Sequence, residues 1–312
     1  MLTHRDLNHK VSQLEIITTK QQLKLEASNG YYKVQQNKTL LAIAKQTVDD
    51  FRAHLTHVQQ MYDSGVVPWY DVLQTKVRLA NSENDLVKTQ NNYDLAIYSL
   101  NKTMGLPLHS EIMLTEPLIY QEYVLDSNDV TAYGLAHRPE IVQQQDNIKI
   151  EETKIKIAQS EKHPKVILSG TMAWDNDDFA GTANRNWTTM LVTQLNLFDS
   201  GKTNAKVKQA QSGELAAQKQ AQQTHDNILL EINDAYLSMK EAEKRISTNA
   251  TAIEEASTNF DIAQKAYTAG VGTNLDVMDA ELALNQAKTN YTNALFDYNM
   301  SKARLNKSIG KE

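Results

Sequence analysis

Asp276 and Asp279 stand three residues apart, on one face of the helix that leaves a turn at Gly270. Carboxylates at that spacing have two uses. They can complement the positive N-terminus of their own helix. In a ring of identical copies they can instead form two stacked acidic rings that favour cations and set a constriction. His54 and His57 also share a helix face, but no third ligand accompanies them, and they read as a solvated pair rather than a metal site. Neither a glycine-rich phosphate loop nor a nucleophile–base signature occurs. No catalytic residue, cofactor or metal is therefore assigned, and the expectation is a protein that is not an enzyme. The absence of cysteine excludes disulfides and thiol chemistry.

The elements that must position the acidic pair occur twice. Tyr62-Asp63-Ser64-Gly65-Val66-Val67-Pro68-Trp69-Tyr70-Asp71-Val72 returns as Tyr267-Thr268-Ala269-Gly270-Val271-Gly272-Thr273-Asn274-Leu275-Asp276-Val277, a shift of 205 positions from Gly65 to Gly270. In each copy a long helical pattern runs in, a glycine turns the chain and a second helical pattern runs out. Val34, Leu41, Val48, Leu55 and Tyr62 recur at sevens, as do Val72, Leu79, Leu86, Tyr93 and Leu100. The second copy has Met239, Ile246, Ile253, Phe260 and Tyr267, then Val277, Leu284, Tyr291, Tyr298 and Leu305. Rows of small residues accompany them, such as Thr75, Ser82, Thr89 and Ala96, or Ala280, Ala287 and Ala294, which lets helices approach closely. Gly65 and Gly270 are expected at backbone angles closed to other residues. Glu231 and Tyr236 fall on Glu26 and Tyr31 in the repeat and read as packing residues.

Eleven glycines and five prolines over 312 residues, with a mean hydropathy of −0.52, suit long helices better than a compact α/β enzyme. A formal charge of −6 without a basic cluster argues against nucleic acid as a partner. No apolar run reaches the length of a membrane-spanning helix, and no apolar segment follows Met1 to open a signal peptide.

The order predicts a first-repeat helical hairpin over 1–105 with its tip at 63–71, and a mixed segment over 106–138. A helix over 139–164 leads to a strand hairpin over 165–198, and a second-repeat hairpin covers 199–312 with its tip at 268–276. Within the mixed segment, Ile112 to Tyr120 reads as a short edge strand with turns, and Ser127 or Asn128 caps a short helix reaching His137-Arg138. In 165–198, Val166, Leu168, Gly170, Met172 and Trp174 alternate with Ile167, Ser169, Thr171 and Ala173. An acidic loop from Asp175 to Arg185 follows, then Trp187, Thr189, Leu191, Thr193, Leu195 and Leu197 alternate with a mostly polar row. Two strands of that length, with tryptophans near one end, fit one hairpin of a membrane β-barrel as well as a soluble hairpin. Carried back by 205, this hairpin falls before Met1, so the repeat predicts that a first strand pair and its leading helix lie upstream, roughly a hundred residues plus any signal.

Two repeats of strand hairpin, long helix, glycine tip and returning helix resemble the TolC-type outer-membrane efflux family. The residues that carry the resemblance are Tyr-x-x-Gly-x-x-x-x-x-Asp-Val at both tips, Leu135-Ala136-His137-Arg138-Pro139-Glu140, Pro164 before the first strand, and Leu195-Asn196-Leu197-Phe198-Asp199-Ser200-Gly201 after the second. The fold implied is mainly α with a β-hairpin: long antiparallel coiled-coil hairpins forming an α-barrel, plus transmembrane β-barrel strands, in two structural repeats. The resemblance implies a homotrimer in the cell outer membrane, in contact with its lipid and extending into the periplasm. There it would meet a periplasmic adaptor (membrane fusion) protein and an inner-membrane pump, as the exit duct of an efflux or type I secretion system. It also assigns Asp276 and Asp279 to a pore constriction and Asp71 with Tyr267 to a tip gate. Gly65, Val66, Val67, Gly270, Val271 and Thr273 would form the adaptor-docking tips. Gly272 stands where some relatives carry an arginine of that gate, and Trp69 is either a docking anchor or packed. The competing reading is a soluble coiled-coil scaffold or adaptor-like hairpin protein, and the rows within 165–198 discriminate: in a duct they face lipid and lumen.

Overall fold

The computed structural model describes residues 2–114, 116–123, 127–174 and 185–311. Its elements in chain order are α1 (Leu2–Asp63), α2 (Trp69–Thr103), α3 (Ser127–His137), α4 (Pro139–Ser160), β1 (Lys165–Trp174), β2 (Arg185–Gln194), α5 (Lys202–Thr268) and α6 (Asn274–Ser308). The fold is mainly helical with one antiparallel strand pair. Helices α2 and α6 are each 35 residues long and begin and end at positions offset by 205. Two compact units can be distinguished, Met1–Ile17 with Pro139–Asn227, and Thr18–Arg138 with Ile228–Glu312.

In the first unit, Pro139 opens α4, where its missing N–H costs nothing. The helix stops at Ser160, four residues before Pro164, because the residue preceding a proline is pushed out of the helical region. The intervening residues form hydrogen-bonded turns, such as His163 N to Ser160 O at 3.0 Å. The buried Asp146 on α4 takes Lys10 of α1 at 2.7 Å and Lys149 at 3.1 Å. Strands β1 and β2 pair from Lys165↔Gln194 to Trp174↔Arg185. That register sets Leu168 opposite Leu191 and Met172 opposite Trp187, so the large apolar rows of both strands fall on one face. β1 is solvent-exposed along its whole length. The second strand stops at Gln194, short of the alternation that runs to Leu197. There the chain prepares a turn, with Ser200 at φ 54° and Gly201 at φ 85°. Asp199 accepts bonds from the backbone N–H groups of Gly201 and Thr203, and the Thr203 side chain first, then these N–H groups, draw its carboxyl below the usual carboxylate range. The acidic loop expected from Asp175 lies outside the described residues up to 184, and Arg185 already belongs to β2.

In the second unit, α2 runs back along α1 and α6 along α5, and the heptad seams are largely buried, with Leu55, Leu79 and Leu86 half-buried and Tyr62 exposed at the first tip. Val34 packs with Ala96 and Leu100, and Val58 with Val72, Tyr267 and Val277. Each such side chain contributes about 1.5–3 kcal/mol of burial free energy. Among the described residues, the stretch from Ile112 to Tyr120 contains no strand. Its backbone is held instead by helix side chains: Asn299 donates to Ile119 O and Tyr298 to Gln121 O, while Tyr31 donates to Glu116 O. With those carbonyls satisfied by tyrosine and asparagine, no ladder partner is required.

The Leu135–Glu140 motif has a structural explanation. Arg138 is buried and donates to the carbonyls of Lys307 and Ser308, at the C-terminus of α6 where a cation is favoured. It also pairs with Glu231 at 3.0 Å, which Lys307 approaches at 2.8 Å. Gly134 is required by close approach, since a Cβ there would lie 2.6 Å from Ile232 Cδ1.

Candidate functional site: the paired helix tips

Both tips are built by the same hydrogen bonds. At the first, Gly65 N donates to Tyr62 O at 2.8 Å and Val66 N to Met61 O at 2.9 Å; at the second, Gly270 N donates to Tyr267 O and Val271 N to Ala266 O, both at 3.0 Å. This pair of bonds ends a helix with its glycine left-handed, and Gly65 and Gly270 sit at φ 75° and 76° as the sequence predicts.

The exits differ. At the first tip Pro68 holds the cap position of α2 without a side-chain bond. At the second, Thr273 and Asp276 form a capping box. Asp276 N donates to Thr273 Oγ1, and the Asp276 carboxylate accepts from Thr273 N at 2.9 Å. The Thr273 hydroxyl, which donates to the Asp276 carboxylate at 2.6 Å, and then the Thr273 N–H hold that carboxyl below its ordinary range, so it is ionised at neutral pH. Asp279 is 60% exposed and lies 3.8 Å from Arg78 of α2. Gly272 is crowded rather than free, because a Cβ there would stand 3.0 Å from Ala266 Cβ.

Between the tips runs a groove of about 460 Å³ whose lining includes Val66, Val67, Asp71, Tyr267, Gly270 and Thr273. Gly65 and Val271 lie outside that lining, and Val271 projects into solvent. Asp71 and Tyr267 come close without bonding. The Tyr267 hydroxyl is buried with no hydrogen-bond partner, and burial followed by the Asp71 charge pushes it up to about 12. Burial likewise raises the Asp71 carboxyl. Trp69 is half-exposed, its ring 5.0 Å from Tyr62 and under the Lys76 ammonium at 5.1 Å.

The histidines are not a solvated pair. His54 is buried and its Nε2 lies 2.8 Å from Asn274 Oδ1, while both rings lie against Tyr267, His54 tilted at 5.5 Å and His57 edge-on at 6.2 Å between centroids. Asn274 also donates to Asp71 O and to Thr75 Oγ1. It thus ties α6 to α1 and α2 directly under the tips. Asn274 was not a candidate from the sequence, because its heptad row continues with Glu281 and Lys288 and nothing in that spacing marks a buried node.

Residues 3–106 and 134–311 match the family described as Outer membrane efflux protein. Outer membrane protein TolC of Salmonella enteritidis is 21% identical over 303 residues, covering 94% of this chain and 62% of that protein. The alkaline protease secretion protein AprF of Pseudomonas aeruginosa is 24% identical over 289 residues, 90% of this chain and 59% of its own length. The chain thus spans about three-fifths of the length of these curated relatives. The crystal structure of the outer membrane protein VceC from Vibrio cholerae shares the fold, with a TM-score of 0.86 and 20% identity over 99% of this chain and 74% of that one. On the family match, which takes in both tips and the strand pair, the chain belongs to the Outer membrane efflux protein family.

Proposed function

We propose that this chain is a wall segment of an outer-membrane export duct, a passive channel that carries cargo from the periplasm outward. The observation that carries this reading is the bare strand pair. Its two strands leave Val166, Leu168, Trp174, Trp187 and Leu191 exposed on one face. A lone two-stranded ribbon with open edges is marginal in water. Strands of ten residues with aromatic ends match the thickness of a bilayer once other strands close a barrel around them. The partner strands come from further copies, and a homotrimer is the assembly proposed. The helical hairpins would then line a periplasmic tunnel, the α-barrel of the fold.

At the tips, Asp276 and Asp279 form the pore constriction in this reading: both are exposed, and the capping box keeps Asp276 charged. Asp71 and the unpartnered Tyr267 hydroxyl form the tip gate; the hydroxyl is buried within one copy, so a bond from it to a neighbouring hairpin requires the tip to rearrange. With glycine at 272 in place of an arginine, closure rests on fewer bonds in this reading. Gly65, Val66, Val67, Gly270, Val271 and Thr273 present the docking surface for a periplasmic adaptor that joins the duct to an inner-membrane pump.

The test is fractionation and planar-bilayer recording. The expected result is a detergent-requiring oligomer that sediments with outer membranes and conducts ions. A monodisperse monomer in plain buffer, with no conductance, would overturn the duct and favour a soluble scaffold.

A further inference from the structure

Glu281 is 2% exposed, and neither carboxylate oxygen has a hydrogen-bond partner. It lies on α6 between Val277 and Leu284, two buried members of the heptad seam. Seven residues separate it from Asn274, about 10 Å along the helix at 1.5 Å per residue. An ionised carboxylate without partners is not tolerated at such a site, and the group takes up a proton instead. Among the described residues, the titratable groups that act on it are Asp50 of α1, which opposes ionisation, and Lys288 further along α6, which favours it. Asp50 also accepts a bond from Gln46 on its own helix.

We propose that Glu281 is a proton-binding latch: neutral, it lies within the seam where α6 packs on α1, and ionised, it forces that seam to open toward water. Because Glu281 is already buried within one copy of the chain, no residue of a neighbouring copy can neutralise it without that opening. If the duct reading holds, alkalinisation loosens the second hairpin directly above its tip.

Burial, reinforced by Asp50, pushes the Glu281 carboxyl up to about 8 from its ordinary 4.5. The packed state therefore holds the proton over a range in which the opened state has released it. Packing is fully supported below pH 4.5 and loses support as pH rises toward 8, by tenfold in the opening equilibrium per pH unit, and then levels off. His54, whose pKa is lowered by burial, acts in the opposite direction, and only below its ordinary value of 6.5.

The experiment is amide hydrogen exchange of residues 277–288 in the 312-residue chain, from pH 6.5 to 9, in wild type and in Glu281→Gln. The ratio of the two rates at each pH cancels the intrinsic dependence of exchange on pH. That ratio is expected to rise about tenfold per pH unit to about pH 8 and flatten above it. Glu281→Leu, which folds without any polar group in the seam, should give the same profile as Glu281→Gln. Removing the opposing charge in Asp50→Asn should move the plateau to lower pH. A ratio that stays constant with pH overturns the latch. The measurement reads the helix seam itself, so it is independent of conductance: a non-conducting chain with the expected ratio defeats the duct reading alone.

Discussion

His54 Nε2 and Asn274 Oδ1 meet at 2.8 Å although 220 positions separate them in the chain. The contact joins the helix entering the first tip to the helix leaving the second. Asn274→Ala would strand the His54 nitrogen in a buried site and remove a donor from Asp71 O and Thr75 Oγ1, which keep their bond to each other, at a cost of about 1–3 kcal/mol. A lowered midpoint in chemical denaturation followed by helical circular dichroism checks this. The bond also sets a pH dependence. Burial lowers the His54 pKa, so its contribution is present above pH 6.5 and is lost as pH falls through the lowered value. In Asn274→Ala the acid loss should begin at the same pH but extend to lower pH and grow larger, because the bond to Asn274 works to raise that pKa and its removal lowers it further; His54→Gln should abolish the histidine component altogether.

Glycine substitutions should separate conformational strain from crowding. Nothing lies within 4 Å of a Cβ added at Gly65 or Gly270, so Ala there meets only the left-handed penalty of about 1–2 kcal/mol. At Gly310 the same penalty is joined by a contact of 2.9 Å with His137 O. Thermal melts should rank Gly310→Ala below Gly65→Ala and Gly270→Ala; equal losses would contradict the crowding.

Arg138→Met removes the donor to two carbonyls at the end of α6 and the partner of Glu231. A loss of about 2–3 kcal/mol is expected, discounted because Glu231 is partly exposed and keeps Lys307. Although burial pushes the Glu231 carboxyl up, Lys307 and Arg138 outweigh it and hold the pKa below 4.5. Its contribution is therefore present above pH 4.5 and lost as pH falls through the lowered value, and the variant should show a weaker acid dependence between those limits in denaturation midpoints.

Asp276→Asn with Asp279→Asn should weaken block by multivalent cations in single-channel recordings, with unchanged block rejecting the constriction. Thr273→Ala separates the capping role from the charge. It should cost about 1 kcal/mol in stability while leaving cation block in place.

The architecture was legible in the sequence because repetition and spacing are properties of order along the chain. The 205-residue shift, the heptad seams and the two turning glycines require only that like patterns fold alike. Alternation from Val166 to Trp174 and from Trp187 to Leu197 likewise announced two strands, but the end of the second at Gln194 and the register of the pair came from the structure. What failed did so where partners come from distant positions. Ile112 to Tyr120 has strand composition, yet side chains from α1 and α6 satisfy its carbonyls, so it stays irregular. His54 looked solvated because its partner is 220 residues away. Glu281 sits in a heptad pattern that tolerates a charged residue at its edge, and only the tertiary packing closed water away from it. Periodicity states which face of a helix is apolar; which polar atoms end up on the dry side depends on how the helices meet, and that was decided in three dimensions.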